Sequence, residues 1–166
     1  MISVQHALEL LDNDKSFKEW KKSSADSYLC HSLKMLDDED AWHIGFSNPD
    51  GSITTFIVSD SSIEIDQPQE VFKHPDSKIL PLNKQDLAIT AEQALTIATD
   101  HLTKNYSKDL PSKNIIILQS LDIGQVYNIT FITLSMSTIN IKICSKTGEI
   151  LEDKKTNLMD FKVNDV

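Results

Sequence analysis

The chain contains no arginine: all 16 of its basic residues are lysine. It therefore lacks the planar guanidinium fork that holds phosphate or carboxylate with two parallel hydrogen bonds. Positive charge is also scarce overall. Sixteen lysines face 25 acidic residues, a net charge of -9, and this opposes attraction to nucleic-acid phosphates or anionic lipid. Nucleic acid is excluded as the expected partner. Glycines number four and form no phosphate-cradling loop. Two cysteines, Cys30 and Cys144, make neither a CxxC motif nor a disulfide framework and read as small packing residues. No apolar run approaches the ~20 residues that span a bilayer, so membrane insertion is not expected. The segment 1–9 has neither a basic stretch nor a long apolar core, unlike a signal peptide. With Met1 as the native start the expected compartment is the cytoplasm; with a leader removed it is extracytoplasmic.

Hydrophobic residues make up 40% of the 166 and charged residues 25%, which suits a folded core rather than disorder. The charge is uneven. Residues 1–66 hold 5 Lys against 13 Asp and Glu, whereas residues 90–166 hold 8 against 9. An acidic first half can steer a basic partner.

Hydrophobic periodicity organises the chain. Val4, Ala7, Leu8 and Leu11 recur at i, i+3, i+4 and i+7 behind a capping Ser3, which predicts a helix. Ala91, Ala94, Leu95, Ala98 and Leu102 repeat the spacing behind Thr90, with Gln93 completing a capping box. At an offset of 87 residues the two helix starts align, Ser3–Leu8 on Thr90–Leu95. Strand patterns follow each. After the first helix come 28–36, 41–47 with Trp42, Ile44 and Phe46 alternating, and 52–59 beyond an Asn-Pro-Asp-Gly turn. After the second come 114–121, 126–134 and 138–144, the last alternating Ile139, Ile141 and Ile143 with polar residues. Between the halves, Pro68, Pro75 and Pro81 mark an extended connector at 67–89, whose Val71, Phe72, Ile79, Leu80 and Leu82 predict packing on a domain.

The second half resembles a PepSY domain. The opening helix has the family's Thr-x-x-x-Ala-x-x-x-Ala form, Thr90 to Ala98. The strand 126–131 follows, and the ending runs from Ile141 to Thr147-Gly148-Glu149-Ile150-Leu151. The resemblance covers about residues 88–153. Residues 1–66 are similar through Trp42–Phe46, with Ser59–Ile65 in place of the Thr-Gly-Glu ending. The family is known from metallopeptidase propeptides and cell-envelope proteins, so the resemblance implies a module that binds or restrains a peptidase and brings no catalytic residues. The expected fold is α+β: two tandem PepSY-like (cystatin-like) units, each one helix packed on an antiparallel sheet. The units are placed at 1–66 and 90–153, joined by the connector 67–89 and followed by a tail, 154–166.

No motif for chemistry emerges. The five histidines form no HExxH and no zinc spacing. Asp12–Ser16 begins like a calcium loop, but the sixth position is Phe17 and the twelfth Ser23. Cys30 and His31 are neighbours on a strand, which directs them to opposite faces. No GxSxG elbow occurs. No cofactor and no metal are expected. The expected function is non-catalytic protein or peptide binding, with peptidase regulation as the implied role. The alternative is a small-ligand protein or enzyme with a pocket between helix and sheet. The acidic strands of the first half, Asp37, Asp38, Asp40, Trp42 and His43, are the candidate binding surface.

Overall fold

The structure, a computed structural model, describes residues 2–37, 40–70 and 78–159. Helices α1 (Val4–Asn13) and α2 (Lys15–Ser23) precede four strands, β1 (Tyr28–Met35), β2 (Trp42–Ser47), β3 (Ser52–Val58) and β4 (Ile63–Glu70). Helix α3 (Ala91–Asn105) precedes β5 (Pro111–Leu121), β6 (Gly124–Thr133), β7 (Ser137–Cys144) and β8 (Ile150–Asn157).

All eight strands belong to one antiparallel sheet, in the order β4-β3-β2-β1-β5-β6-β7-β8. This corrects the expected pair of tandem units, each with its own sheet and one helix. The physical cause is the pairing of β1 with β5, His31–Met35 lying antiparallel to Ile115–Gln119. That pairing merges the two meanders at their innermost strands. The first half also carries two helices, not one.

The three helices pack on one face of the sheet. Ser3 caps α1, its Oγ accepting from the His6 amide, and Val4, Ala7, Leu8 and Leu11 are buried as the spacing predicts. The Thr90–Gln93 capping box starts α3, which buries Ala91, Ala94, Ala98 and Leu102. The three alanines let α3 lie close over β6 and β7, where Tyr127, Ile129, Phe131, Ile139, Ile141 and Ile143 are inaccessible to solvent. Each such large side chain contributes about 1.5–3 kcal/mol of apolar burial. Asp14 caps α2, and Phe17 and Trp20 form an aromatic cluster with Phe46 and Phe56 at centroid separations of 5.1–5.8 Å.

Residues 78–89 cross from one face of the sheet to the other at the end of the β1–β5 pair. Leu80 bridges Ser120, the Leu82 amide donates to the Leu29 carbonyl, and Leu82, Leu87 and Ile89 pack on the core. Of the connector expectations, Val71, Phe72 and Pro75 lie outside the described residues. Pro68 stands within β4. The tail supplies the second half of β8, an edge strand, and Phe161 lies outside the described residues.

Candidate functional site

The face of the sheet opposite the helices is built of side chains that alternate with the core. Following the pairing across the strands, one row on this face reads Glu64, Ile57, His43, Leu33, Ile117, Asn128, Lys142, Glu152. The next row on the central strands reads Met35, Ile115, Thr130, Asn140. The centre of the face, at the β1–β5 seam, is thus apolar, and polar or charged residues flank it. Met35 is 46% exposed, and Leu33, Ile115 and Ile117 are half-buried. Contiguous apolar side chains exposed on one face mark a candidate interaction surface.

Two cavities lie along this seam. One, of ≈ 360 Å³, is lined by Cys30, His31, Leu33, Ile117 and Gln119 of the sheet and by Ile79 and Leu80. The other, of ≈ 320 Å³, is lined by Met35, Asp37, Lys113, Ile115 and Ile132. Leu33–Ile117 in the first and Met35–Ile115 in the second are alternate pairs of the same two strands, successive on this face. The two cavities are therefore neighbours on one apolar track.

A third cavity, of ≈ 400 Å³, sits by the end of α2 against Trp20, Asp26 and Asn48. Several of its polar groups are committed to the fold. Asn48 donates to Ser52 and Thr54 and accepts from Ser27, which ties the β2–β3 turn to the loop before β1.

Cys30 and His31 do not point to opposite faces as regular alternation predicts. The register of β1 on β2 shifts between Leu29 and His31, a β-bulge. The bulge brings Cys30 Sγ to 3.4 Å from His31 Nδ1 and 3.3 Å from the Gly45 carbonyl oxygen, to which it donates. The imidazole lies flat against Gly45, where a Cβ would stand 2.6 Å from Nε2 and 2.8 Å from Nδ1. Burial pushes the Cys30 thiol up to about 11. Burial, then the neighbouring His43, holds the His31 imidazole below its ordinary value. Burial thus favours the thiol of Cys30 over its thiolate and the neutral form of the His31 imidazole.

The five candidate residues separate. Asp37 is exposed at the rim of the second cavity, and His43 is half-buried on the open face between Leu33 and Ile57. Trp42 is fully buried on the helix face, its Nε1 donating to the Ile2 carbonyl oxygen. Asp40 pairs with the buried ammonium of Lys34, which also lies 5.7 Å from the Trp42 ring centroid, and accepts from the Ile2 amide. That ammonium holds the Asp40 carboxyl below the usual carboxylate range. Asp38 lies outside the described residues. The sequence reading missed Leu33, Met35, Ile115, Ile117 and Ile132. Their signal is the uninterrupted run Ile115–Leu118, which marks a central strand apolar on both faces.

Among the described residues no three His, Cys, Asp or Glu side chains are grouped to hold a metal ion. Nor is any helix among them long and apolar enough to cross a membrane.

No family model matches the chain, and no curated protein matches it. Its fold is similar to that of a crystal structure of a "putative lipoprotein" from Clostridium difficile 630. The TM-score is 0.55 and the sequence identity 17%, over 89% of this chain and 98% of that one. At that identity the likeness is one of fold.

Proposed function

We propose that this protein is a non-catalytic binding module that takes a protein or peptide partner on the open face of its sheet. The observation that carries this reading is the apolar β1–β5 seam, left open among the described residues on the face that α1, α2 and α3 do not cover. Binding by strand addition at the sheet edges is disfavoured. Pro68 interrupts the donors of β4, and β8 carries Glu152, Asp153, Lys154 and Lys155. The face is then the surface suited to a partner. Asp37 and His43 stand at its margin and contribute polarity there.

A peptidase is the partner that the PepSY resemblance of residues 88–153 supports, with restraint of that peptidase as the role. The fold's likeness to a lipoprotein supports an extracytoplasmic setting. The alternative of a ligand pocket between helix and sheet finds no support, because Trp42, Ile44, Ile116, Leu118 and Tyr127 fill that layer.

The test is capture from the native host's extract on immobilised wild type, Met35→Lys and Lys104→Glu, the last an exposed change on α3. A partner retained by wild type and Lys104→Glu but lost by Met35→Lys supports the reading. Equal retention by all three contradicts it, and a captured peptidase is then assayed for inhibition.

A further inference from the structure

We propose that His31 is an acid-released latch: protonation drives its imidazole from the space beside Gly45 and uncovers the Cys30 thiol. The proposal concerns the bulge of β1 and is independent of the binding reading above. Its basis is how closely the ring is held. A Cβ on Gly45 would meet three ring atoms within 2.8 Å, so the imidazole occupies the space that a side chain would take there. Nδ1 lies 3.4 Å from Cys30 Sγ, and Cys30 is buried. The ring is therefore part of what covers the thiol.

Among the described residues no anion is placed to receive a proton on that ring. Cys30 faces it from its own strand, His43 from β2, the uncharged Gln119 from β5, and Lys78 from the connector, lining the same cavity. The row through Gly45 reaches a carboxylate at Asp66 on β4, beyond Thr55 on β3. No described carboxylate lines the cavity itself. An imidazolium here would be a half-buried cation near His43 and Lys78 with no counter-ion in contact, and burial penalises that charge.

The strand can yield at this point. Cys30 is the extra residue of the bulge and has no partner in register on β2 or β5. The ≈ 360 Å³ cavity that His31 lines with Ile79 and Leu80 gives the displaced side chain a way out. Linkage sets the sign. Burial, then His43, holds His31 below its ordinary value in the closed state, so a solvated imidazole takes the proton more readily. The closed state is full above that ordinary value and gives way to the open one as pH falls below it.

The probe is a dipyridyl disulfide, which labels thiols in mild acid. Labelling of Cys30 and Cys144 on the full chain is timed by peptide mass spectrometry at pH 7.5 and 5.5. Cys144 is partly exposed and stands on β7, beyond β5 and β6, so the ratio of the two rates divides out the reagent's own pH dependence. Opening takes up one proton, so with an ordinary value of 6.5 it rises at most about tenfold over this interval. The expected result is a Cys30 to Cys144 ratio about five- to tenfold higher at pH 5.5, with near-UV circular dichroism unchanged. In His31→Gln, which cannot titrate, the ratio should stay within about twofold. Lys78→Glu brings an anion to the cavity and should at least halve the rise; Lys78 is exposed, so this variant decides alone if His31→Gln fails to fold. A flat ratio in wild type, an equal rise in His31→Gln or an undiminished rise in Lys78→Glu overturns the proposal. A rise that accompanies loss of the near-UV signal reports global unfolding and overturns it as well.

Discussion

Replacing Gly45 with alanine is the sharpest local perturbation that the structure offers. The new methyl would stand 2.6 Å from His31 Nε2 and 2.8 Å from Nδ1, well inside van der Waals contact. Gly45 and His31 are directly paired across β2 and β1, so the strand ladder holds the two positions opposite each other. The imidazole must therefore leave its place against the strand. It would give up its 3.4 Å contact with Cys30 and crowd the cavity that Ile79 and Leu80 also line. Overpacking of this kind costs about 1–3 kcal/mol. For a chain of this size each kcal/mol lowers Tm by about 2–4 °C. Urea denaturation of wild type, Gly45→Ala, His31→Ala and the double variant completes a cycle. Removing the imidazole makes room for the methyl, so the double variant should be more stable than the sum of the single losses, by at least about 1 kcal/mol. Gly45→Ala within about 0.5 kcal/mol of wild type, or losses that simply add, would refute the placement of His31.

Three further outcomes follow from the same structure. Asp40→Asn removes the partner of the buried Lys34 ammonium and should cost about 1–3 kcal/mol, the half-exposed carboxylate being partly screened, whereas Lys34→Met should cost less in the same urea melts. Because the fold holds His31 below the ordinary 6.5, the unfolded chain takes up the proton first; stability should be full above pH 6.5 and fall as pH drops below it, and His31→Gln should flatten that slope in thermal melts. Native protein treated with a thiol-specific disulfide reagent at pH 8 should modify Cys144 first. Its thiol is lowered chiefly by the Thr147 hydroxyl and is partly exposed, while Cys30 is buried and raised to about 11; equal rates would contradict both placements.

Local signals made α1, α3 and most of the strands legible. Ser3 and Thr90 cap the helices they predict, and the alternation at Trp42–Phe46 and Ile139–Ile143 names the buried face of its strand. Helix α2 carries only Phe17 and Trp20 among charged residues, too thin a stripe to announce a helix. The failure over one sheet against two has a non-local cause. β1 and β5 lie roughly eighty residues apart, and no turn encodes their pairing. The run Ile115–Leu118 records it indirectly, since a strand apolar on both sides needs neighbours on both edges and cover for at least one face. The Cys30–His31 pair was illegible for a different reason: one extra residue in β1 reverses the alternation, and a bulge carries no composition signal there. Of the candidate surface, Trp42 is apolar enough to be core, and its burial takes Asp40 and Lys34 with it toward the helix layer.

The central claim is that a partner meets the open face along the β1–β5 seam. Consecutive isoleucines make it directly measurable, because Ile115 and Ile117 face the seam while Ile116 faces the helices. The measurement is a methyl NMR titration of isoleucine-labelled protein with the tightest binder selected from a random peptide library. The account predicts shifts at the methyls of Ile115, Ile117 and Ile132, with Ile116 and Ile129 unmoved. Shifts confined to Ile116 and Ile129, or to sites away from the seam, would contradict it.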